Sequence, residues 1–125
     1  MKPTRATENY LETILLLKKK NGAVRSVDIA NELGYSRPTV SVAMKDFRAK
    51  GYVTVDDDGL ISLTDAGREI AETIYERHVV LSEILISLGV PEDVAKTDAC
   101  RIEHDISDES FRCMKQHYLE RIGGE

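Results

Sequence analysis

The 125-residue chain has little of what builds secreted or membrane proteins. Its two cysteines, Cys100 and Cys113, are too few for a disulfide scaffold, so we expect both thiols to stay reduced. No apolar run approaches the roughly 18 residues that a membrane-spanning helix needs. Residues 1–5 lack the apolar segment of a secretory signal peptide. These absences predict a cytoplasmic protein without a membrane partner.

The chain also lacks internal repeats, low-complexity linkers and any long loop that could shape a substrate pocket. With 42% hydrophobic and 31% charged residues, it has the composition of an ordinary globular protein with one modest core. Residues 1–60 hold ten Lys/Arg and eight Asp/Glu, whereas residues 61–125 hold seven and fourteen. The net charges of the two halves therefore differ in sign, as expected if the first half binds phosphate and the second half binds cations.

Three helices followed by a β-hairpin are predicted for the first half. Apolar residues recur at helical spacing after N-cap candidates at Thr7, Ser26 and Ser36, although Pro3-Thr4 could start the first helix earlier. Two β-rich segments flank the Asp-Asp-Asp-Gly sequence of residues 56–59, which is typical of a hairpin turn. This order of elements predicts a winged helix-turn-helix.

Three further helices are predicted for the second half. Thr64 is a cap for a long helix that runs to Leu88, and Pro91 opens a fifth helix. Residues 107–109 begin a sixth helix, which ends at the glycines 123–124. We expect this helical unit to pack against a second copy of itself.

Residues 26–50 fit the helix-turn-helix plan, in which a second helix presents its side chains to the major groove of DNA. Hydroxyl groups can donate to phosphates or base edges, arginine can pair with a phosphate or guanine, and lysine contacts the backbone. The DNA-binding candidates are Ser36, Arg37, Pro38, Thr39, Ser41, Lys45, Arg48 and Lys50. The apolar residues expected to face the core are Val40, Ala43, Met44 and Phe47. The acidic turn repels phosphate, so we expect the wing to touch DNA weakly or through its flanks.

Cys100, Glu103 and His104 place a thiol, a carboxylate and an imidazole at positions i, i+3 and i+4. In a helix this spacing puts all three on one face, about one turn apart. Such ligands suit Fe²⁺, Zn²⁺ or Co²⁺ better than Ca²⁺ or Mg²⁺. His78 in the long helix and Glu12 in the first helix could fill the open coordination positions. A winged helix before this ligand run favours a sensor over a catalyst.

Six segments, in this order, resemble the family of the diphtheria toxin repressor and the manganese transport regulator. They are residues 8–12, 37–41, 63–67, 77–78, 98–104 and 107–109, and the resemblance covers essentially the whole chain. It implies a metal-activated transcriptional repressor that forms a two-fold symmetric dimer. In such repressors divalent metal ties the N-terminal helix to the dimerisation helices and spaces the recognition helices for a palindromic operator.

The resemblance also implies a set of metal ligands, which are Asn9, Glu12, His78, Cys100, Glu103 and His104. Cysteine at position 100 is the iron-type residue, whereas the manganese branch has glutamate there. A thiolate removes the bridging carboxylate of a manganese-type two-metal cluster, so we expect one dominant site that Asn9 or water completes. The predicted cofactor is a divalent transition metal, with Fe²⁺ favoured, Mn²⁺ possible, and Co²⁺, Ni²⁺ or Zn²⁺ able to bind in vitro.

The ancillary metal site of the iron branch is not expected in this chain. That site uses the positions of Ser82 and Lys96 together with a third, SH3-like domain. Ser82 is a poor ligand, Lys96 is a cation, and the sequence ends without such a domain. Of the other potential ligands, we expect Cys113 in the core and His117 on the surface.

Taken together, the patterns predict a mainly α fold with a small β-hairpin wing. Residues 1–63 are the predicted winged helix-turn-helix DNA-binding domain, and residues 64–125 the helical dimerisation and metal-binding domain. The predicted function is an iron- or manganese-responsive repressor, not an enzyme, that binds a palindromic DNA operator as a homodimer.

Two alternatives stay open. One is a winged-helix regulator of the MarR type that senses a small molecule or oxidation through Cys100, and its DNA binding would survive chelators. The other is a small metallo-hydrolase with Glu103 as base, which would need a pocket and an open water position on the metal.

Overall fold

The computed structural model describes residues 3–121, which form six α-helices and one antiparallel hairpin. The elements in chain order are α1 (Arg5–Asn21), α2 (Ser26–Leu33), α3 (Arg37–Ala49), β1 (Val53–Val55), β2 (Ile61–Leu63), α4 (Asp65–Ser87), α5 (Glu92–Ile102) and α6 (Asp108–Arg121). The predicted fold class is confirmed. The chain divides into two compact units between Glu72 and Thr73, inside α4. The domain boundary at 63/64 stays a prediction.

Hydroxyl caps begin α1 and α3. Thr4, rather than Thr7, caps α1, because its extended backbone lets Oγ1 accept the N–H of Thr7 at 3.1 Å. Thr7 is therefore a buried residue of the first turn. Ser36 caps α3 as predicted, accepting the N–H of Thr39 at 3.3 Å. The cap predicted at Ser26 is wrong.

The cap of α2 is the preceding residue. Arg25 has an extended backbone, and its N–H donates to Oδ2 of Asp28 at 2.8 Å. The carboxylate at the third helical position thus accepts the N–H of the cap residue, as the acidic member of a capping box does. Arg25 consequently lies at the very start of the helix-turn-helix.

The core of the first unit is built from the apolar faces of α1, α2, α3 and the wing. Its most deeply buried side chains are Leu11, Ile14, Val24, Ile29, Val40 and Ile61. Burial of each such side chain contributes about 1.5–3 kcal/mol. Met44 and Phe47 are buried as predicted, whereas Ala43 is only half-buried.

The hairpin wing is held by its own acidic turn. β1 pairs with β2 in the register Val53–Leu63 and Val55–Ile61. Oδ1 of Asp56 accepts the backbone N–H groups of Asp58 and Leu60, each at 2.9 Å. One of the three turn carboxylates therefore closes the turn.

The second unit comprises most of α4 together with α5 and α6. Its buried apolar side chains are Ile74, Val80, Leu81, Ala95, Ala99 and Phe111. Phe111 is the only residue of α6 that is buried, so the expectation of a core position for Cys113 is wrong, and His117 is exposed as expected. The end of α6 predicted at 123–124 lies outside the described residues. Within residues 3–121, no helix combines the length and apolarity that crossing a bilayer requires.

Candidate metal centre and nucleic-acid interface

Three metal-ligating side chains of the second unit converge: His78 on α4, Cys100 on α5 and Glu103 at the end of α5. Their donor atoms lie within 4.8 Å of one another. Nδ1 of His78 is 2.9 Å from Oε2 of Glu103 and 3.7 Å from Sγ of Cys100. Metal–ligand bonds of about 2.0–2.3 Å suit donor atoms at such separations. We refer to these three residues as the metal cluster.

The carboxylate of Glu103 contacts two imidazoles. Oε2 faces Nδ1 of His78 at 2.9 Å, and Oε1 faces Nε2 of His104 at 3.4 Å. The side chains of Glu103 and His104 are only 1% and 4% exposed. Because a buried carboxylate is unfavourable without compensating charge or hydrogen bonds, this arrangement fits a bound cation.

The predicted one-face tripod of Cys100, Glu103 and His104 lies only partly on the helix. α5 ends at Ile102, so Glu103 is the C-cap and His104 lies in the turn beyond it. The sequence spacing therefore identified Cys100, Glu103 and His104, and His78, which was proposed to fill an open coordination position, lies within 3.7 Å of donor atoms of both Cys100 and Glu103.

The two remaining ligand candidates lie on α1, in the first unit. Glu12 is buried and Asn9 is half-buried, and they are about one helical turn apart. The backbone carbonyl of Asn9 accepts the hydroxyl of Thr13 at 2.8 Å. Their role as ligands stays a prediction.

The positions of the iron-type ancillary site carry side chains that are ill suited to metal. Ser82 is buried. Nζ of Lys96 donates to Oε1 of Glu92 at 2.8 Å. This hydrogen bond and the charge of Glu92 raise the pKa of Lys96. Lys96 therefore stays a cation at neutral pH, which disfavours a second cation at this place.

The eight predicted DNA-binding residues are all exposed on α3 or next to its ends. Two of the hydroxyl groups are already engaged, because Oγ of Ser36 and Oγ1 of Thr39 lie 2.7 Å apart. Nζ of Lys50 pairs with Asp46 at 2.9 Å. Among the residues that the structure describes, the side chains of Arg37, Ser41, Lys45 and Arg48 are not engaged in this way, and their contact with DNA stays a prediction.

Arg25 is a candidate contact that the sequence reasoning missed. Its Nε donates to the carbonyl oxygen of Asp58 in the wing turn at 3.3 Å. An open cleft of about 360 Å³ lies at this point, lined by Arg25, Ser26, Val27, Arg37, Ser41 and Gly59. Two guanidinium groups thus border a cleft next to the recognition helix. The feature of the sequence that could have identified Arg25 is its position as a basic residue immediately before the helix-turn-helix.

Family comparisons match both parts of the chain. Residues 2–60 match the N-terminal DNA-binding domain of the iron-dependent repressors, and residues 64–120 match their metal-binding and dimerisation domain. The transcriptional regulator MntR of Escherichia coli O157:H7 is 33% identical over 114 residues, covering 89% of this chain and 74% of its own length. The iron-dependent repressor IdeR of Mycobacterium tuberculosis strain H37Rv is 32% identical over 107 residues, covering 85% and 46%.

Solved structures give the same result. The manganese regulator SloR superposes with a TM-score of 0.75 at 26% identity, covering 93% of this chain and 54% of SloR. A manganese-dependent transcriptional repressor in complex with manganese gives a TM-score of 0.78 at 28% identity, covering 88% and 51%. The chain thus spans about half the length of these two structures. It belongs to the iron-dependent repressor family, whose members are metal-dependent, DNA-binding transcriptional regulators rather than enzymes.

Proposed function

We propose that this chain is a metal-activated transcriptional repressor of iron or manganese homeostasis that binds a palindromic operator as a homodimer. The observation that carries the proposal is the convergence of His78, Cys100 and Glu103. It occurs in a chain that also presents an exposed, basic recognition helix. Membership of the iron-dependent repressor family supports both the binding of metal and the binding of DNA.

The donor set of the metal cluster fits a divalent transition ion. His78, Cys100 and Glu103 would hold it, together with Glu12, His104 and either Asn9 or water. When bound, the ion supplies positive charge beside the thiolate of Cys100 and the buried carboxylate of Glu103. Because a cysteine ligand must be deprotonated, metal affinity increases with pH and binding releases protons.

Iron is the favoured physiological metal. A thiolate ligand suits a softer ion, whereas manganese prefers oxygen ligands. Cys100 therefore favours Fe²⁺ over Mn²⁺, although the similar proteins include both an iron-dependent repressor and a manganese regulator. Co²⁺, Ni²⁺ and Zn²⁺ are expected to bind in vitro, since affinity follows the Irving–Williams order.

The second unit has exposed apolar side chains that suit contact with a second copy. They are Val79, Leu88, Val94, Ile102 and Leu119. If these side chains form a contiguous patch, that patch would suit an interface between two copies of the chain. A two-fold dimer would place two copies of α3 on the half-sites of a palindrome.

Operator selection tests this function directly. Duplexes selected from a random library with Fe²⁺ under anaerobic conditions, and separately with Mn²⁺, are expected to be palindromic. Their affinity is expected to fall about 5–150-fold in chelator, which corresponds to a coupling free energy of about 1–3 kcal/mol. Circular dichroism in chelator checks that the helices remain folded. Undiminished binding in chelator would support the oxidation- or ligand-sensing alternative instead.

A further inference from the structure

We infer that Arg77 is a positioning residue of the metal centre, because its guanidinium binds the turn after α5 that presents Glu103 and His104. The inference rests on the proposed function, since it concerns the same site. Arg77 contacts none of the three donor atoms of the metal cluster, so its effect on metal must pass through the backbone of the turn.

The guanidinium of Arg77 joins three parts of the second unit. Nη1 donates to the carbonyl oxygen of Glu103 at 3.1 Å and to that of Ile106 at 2.8 Å. Nη2 forms an ion pair with Asp108, the first residue of α6. The guanidinium carbon also lies 5.5 Å from the centre of the Phe111 ring. One side chain of α4 therefore holds the whole connection between α5 and α6.

This contact lies just beyond the end of α5. Many helices end at a residue in the left-handed conformation, whose backbone satisfies the last carbonyls. The C-cap of α5 is instead Glu103 in the right-handed region, with φ −57° and ψ −28°. Non-glycine residues with positive φ are absent from the described residues. The carbonyl of Ile102, the last residue of α5, accepts the N–H groups of Asp105 and Ile106 at 2.9 and 3.1 Å, and Arg77 supplies the donor for the next carbonyl, that of Glu103.

The consequence is that α4 holds Glu103 at two points. Arg77 binds its backbone carbonyl, and the adjacent His78 contacts its carboxylate at 2.9 Å. The distance between these two points is fixed by the rigid helix that carries both side chains. A displacement of the turn would therefore separate the carboxylate of Glu103 from His78 and from Cys100.

The chemistry of this contact requires arginine. Arg77 is 7% exposed, and its Nε has no hydrogen-bond partner among the described residues. A buried cation is unfavourable without compensation, which Asp108 and the two backbone carbonyls provide here. The planar guanidinium can donate to two carbonyls and a carboxylate together, whereas the single ammonium of lysine lacks that fork.

The test compares Arg77→Lys with the wild-type protein by Co²⁺ titration, followed through absorption bands of the metal and its thiolate ligand. We expect the dissociation constant for Co²⁺ to rise about 10–100-fold, the range typical of residues that orient metal ligands. The matched control is Glu76→Gln. Glu76 neighbours Arg77 on α4 and also joins α4 to α6, through Lys115 at 2.9 Å. It has no contact with the turn at 103–106, so its loss should leave Co²⁺ affinity unchanged.

Asp108→Asn provides a second variant in case Arg77→Lys fails to fold. It removes the ion pair but leaves both carbonyls available to Arg77, so a smaller, several-fold rise in the dissociation constant is expected. Wild-type affinity in the folded variants would overturn the inference. An equal loss in Glu76→Gln would also overturn it, because any link between α4 and α6 would then have the same effect. Failure of the wild-type chain itself to bind Co²⁺ would instead refute the proposed function, and the inference with it.

Discussion

At the scale of single residues, Glu103 is the centre of the proposed switch. Each of its carboxylate oxygens faces a different histidine, and its side chain is almost fully buried. Cys100 completes the metal cluster from the exposed side of α5. The pattern of Cys100, Glu103 and His104 could be recognised from the sequence because the three ligand types are close along the chain. The distances between the ligands could not be predicted from the sequence, because the contacts of His78 join residues more than twenty positions apart.

Replacement of the thiol tests the choice of metal. Cys100→Glu places a second carboxylate beside Glu103, and oxygen ligands favour manganese. We expect the ratio of the dissociation constants for Mn²⁺ and Co²⁺ to fall at least about tenfold, as measured by competition with a chelating dye. Cys113→Ser is the control, since Cys113 is the other exposed cysteine and lies on α6. An unchanged ratio in Cys100→Glu would show that the thiol does not determine selectivity.

At the scale of elements, the start of α3 was more predictable than the end of α5. Ser36 was identified from local sequence because an N-cap needs only its own hydroxyl and the next turn. The turn after α5 contacts Arg77, which is 26 residues before Glu103, and the wing turn contacts Arg25, which is 33 residues before Asp58. Periodicity within a segment contains no information on such distant contacts.

The contact between Arg25 and the wing turn yields a prediction about DNA. If the cleft beside Arg25 receives a backbone phosphate, Arg25→Gln should weaken binding of all sequences and reduce the slope of log affinity against log salt by about one. Affinity measured over a series of KCl concentrations gives this slope. Arg68→Gln is the control, since it removes the same charge from a side chain paired with Asp65 at 3.8 Å. Equal slopes of log affinity against log salt for Arg25→Gln and the wild type would exclude the phosphate contact.

At the scale of the whole molecule, the two units carry different chemistry. The first presents α3 and its exposed basic residues, and the second contains the metal cluster and the exposed apolar side chains. The charge difference between the two halves of the sequence agrees with this division. The central claim is that metal bound at His78, Cys100 and Glu103 controls the affinity of α3 for DNA.

The most direct test is the operator affinity of Glu103→Gln with and without Fe²⁺, measured anaerobically by fluorescence anisotropy. The substitution keeps the size of the side chain but removes the charge that would hold the ion. For the wild-type protein and Glu76→Gln, metal is expected to increase affinity about 5–150-fold. For Glu103→Gln, metal is expected to leave affinity unchanged. A full metal-dependent increase in Glu103→Gln would contradict the claim that this cluster is the switch.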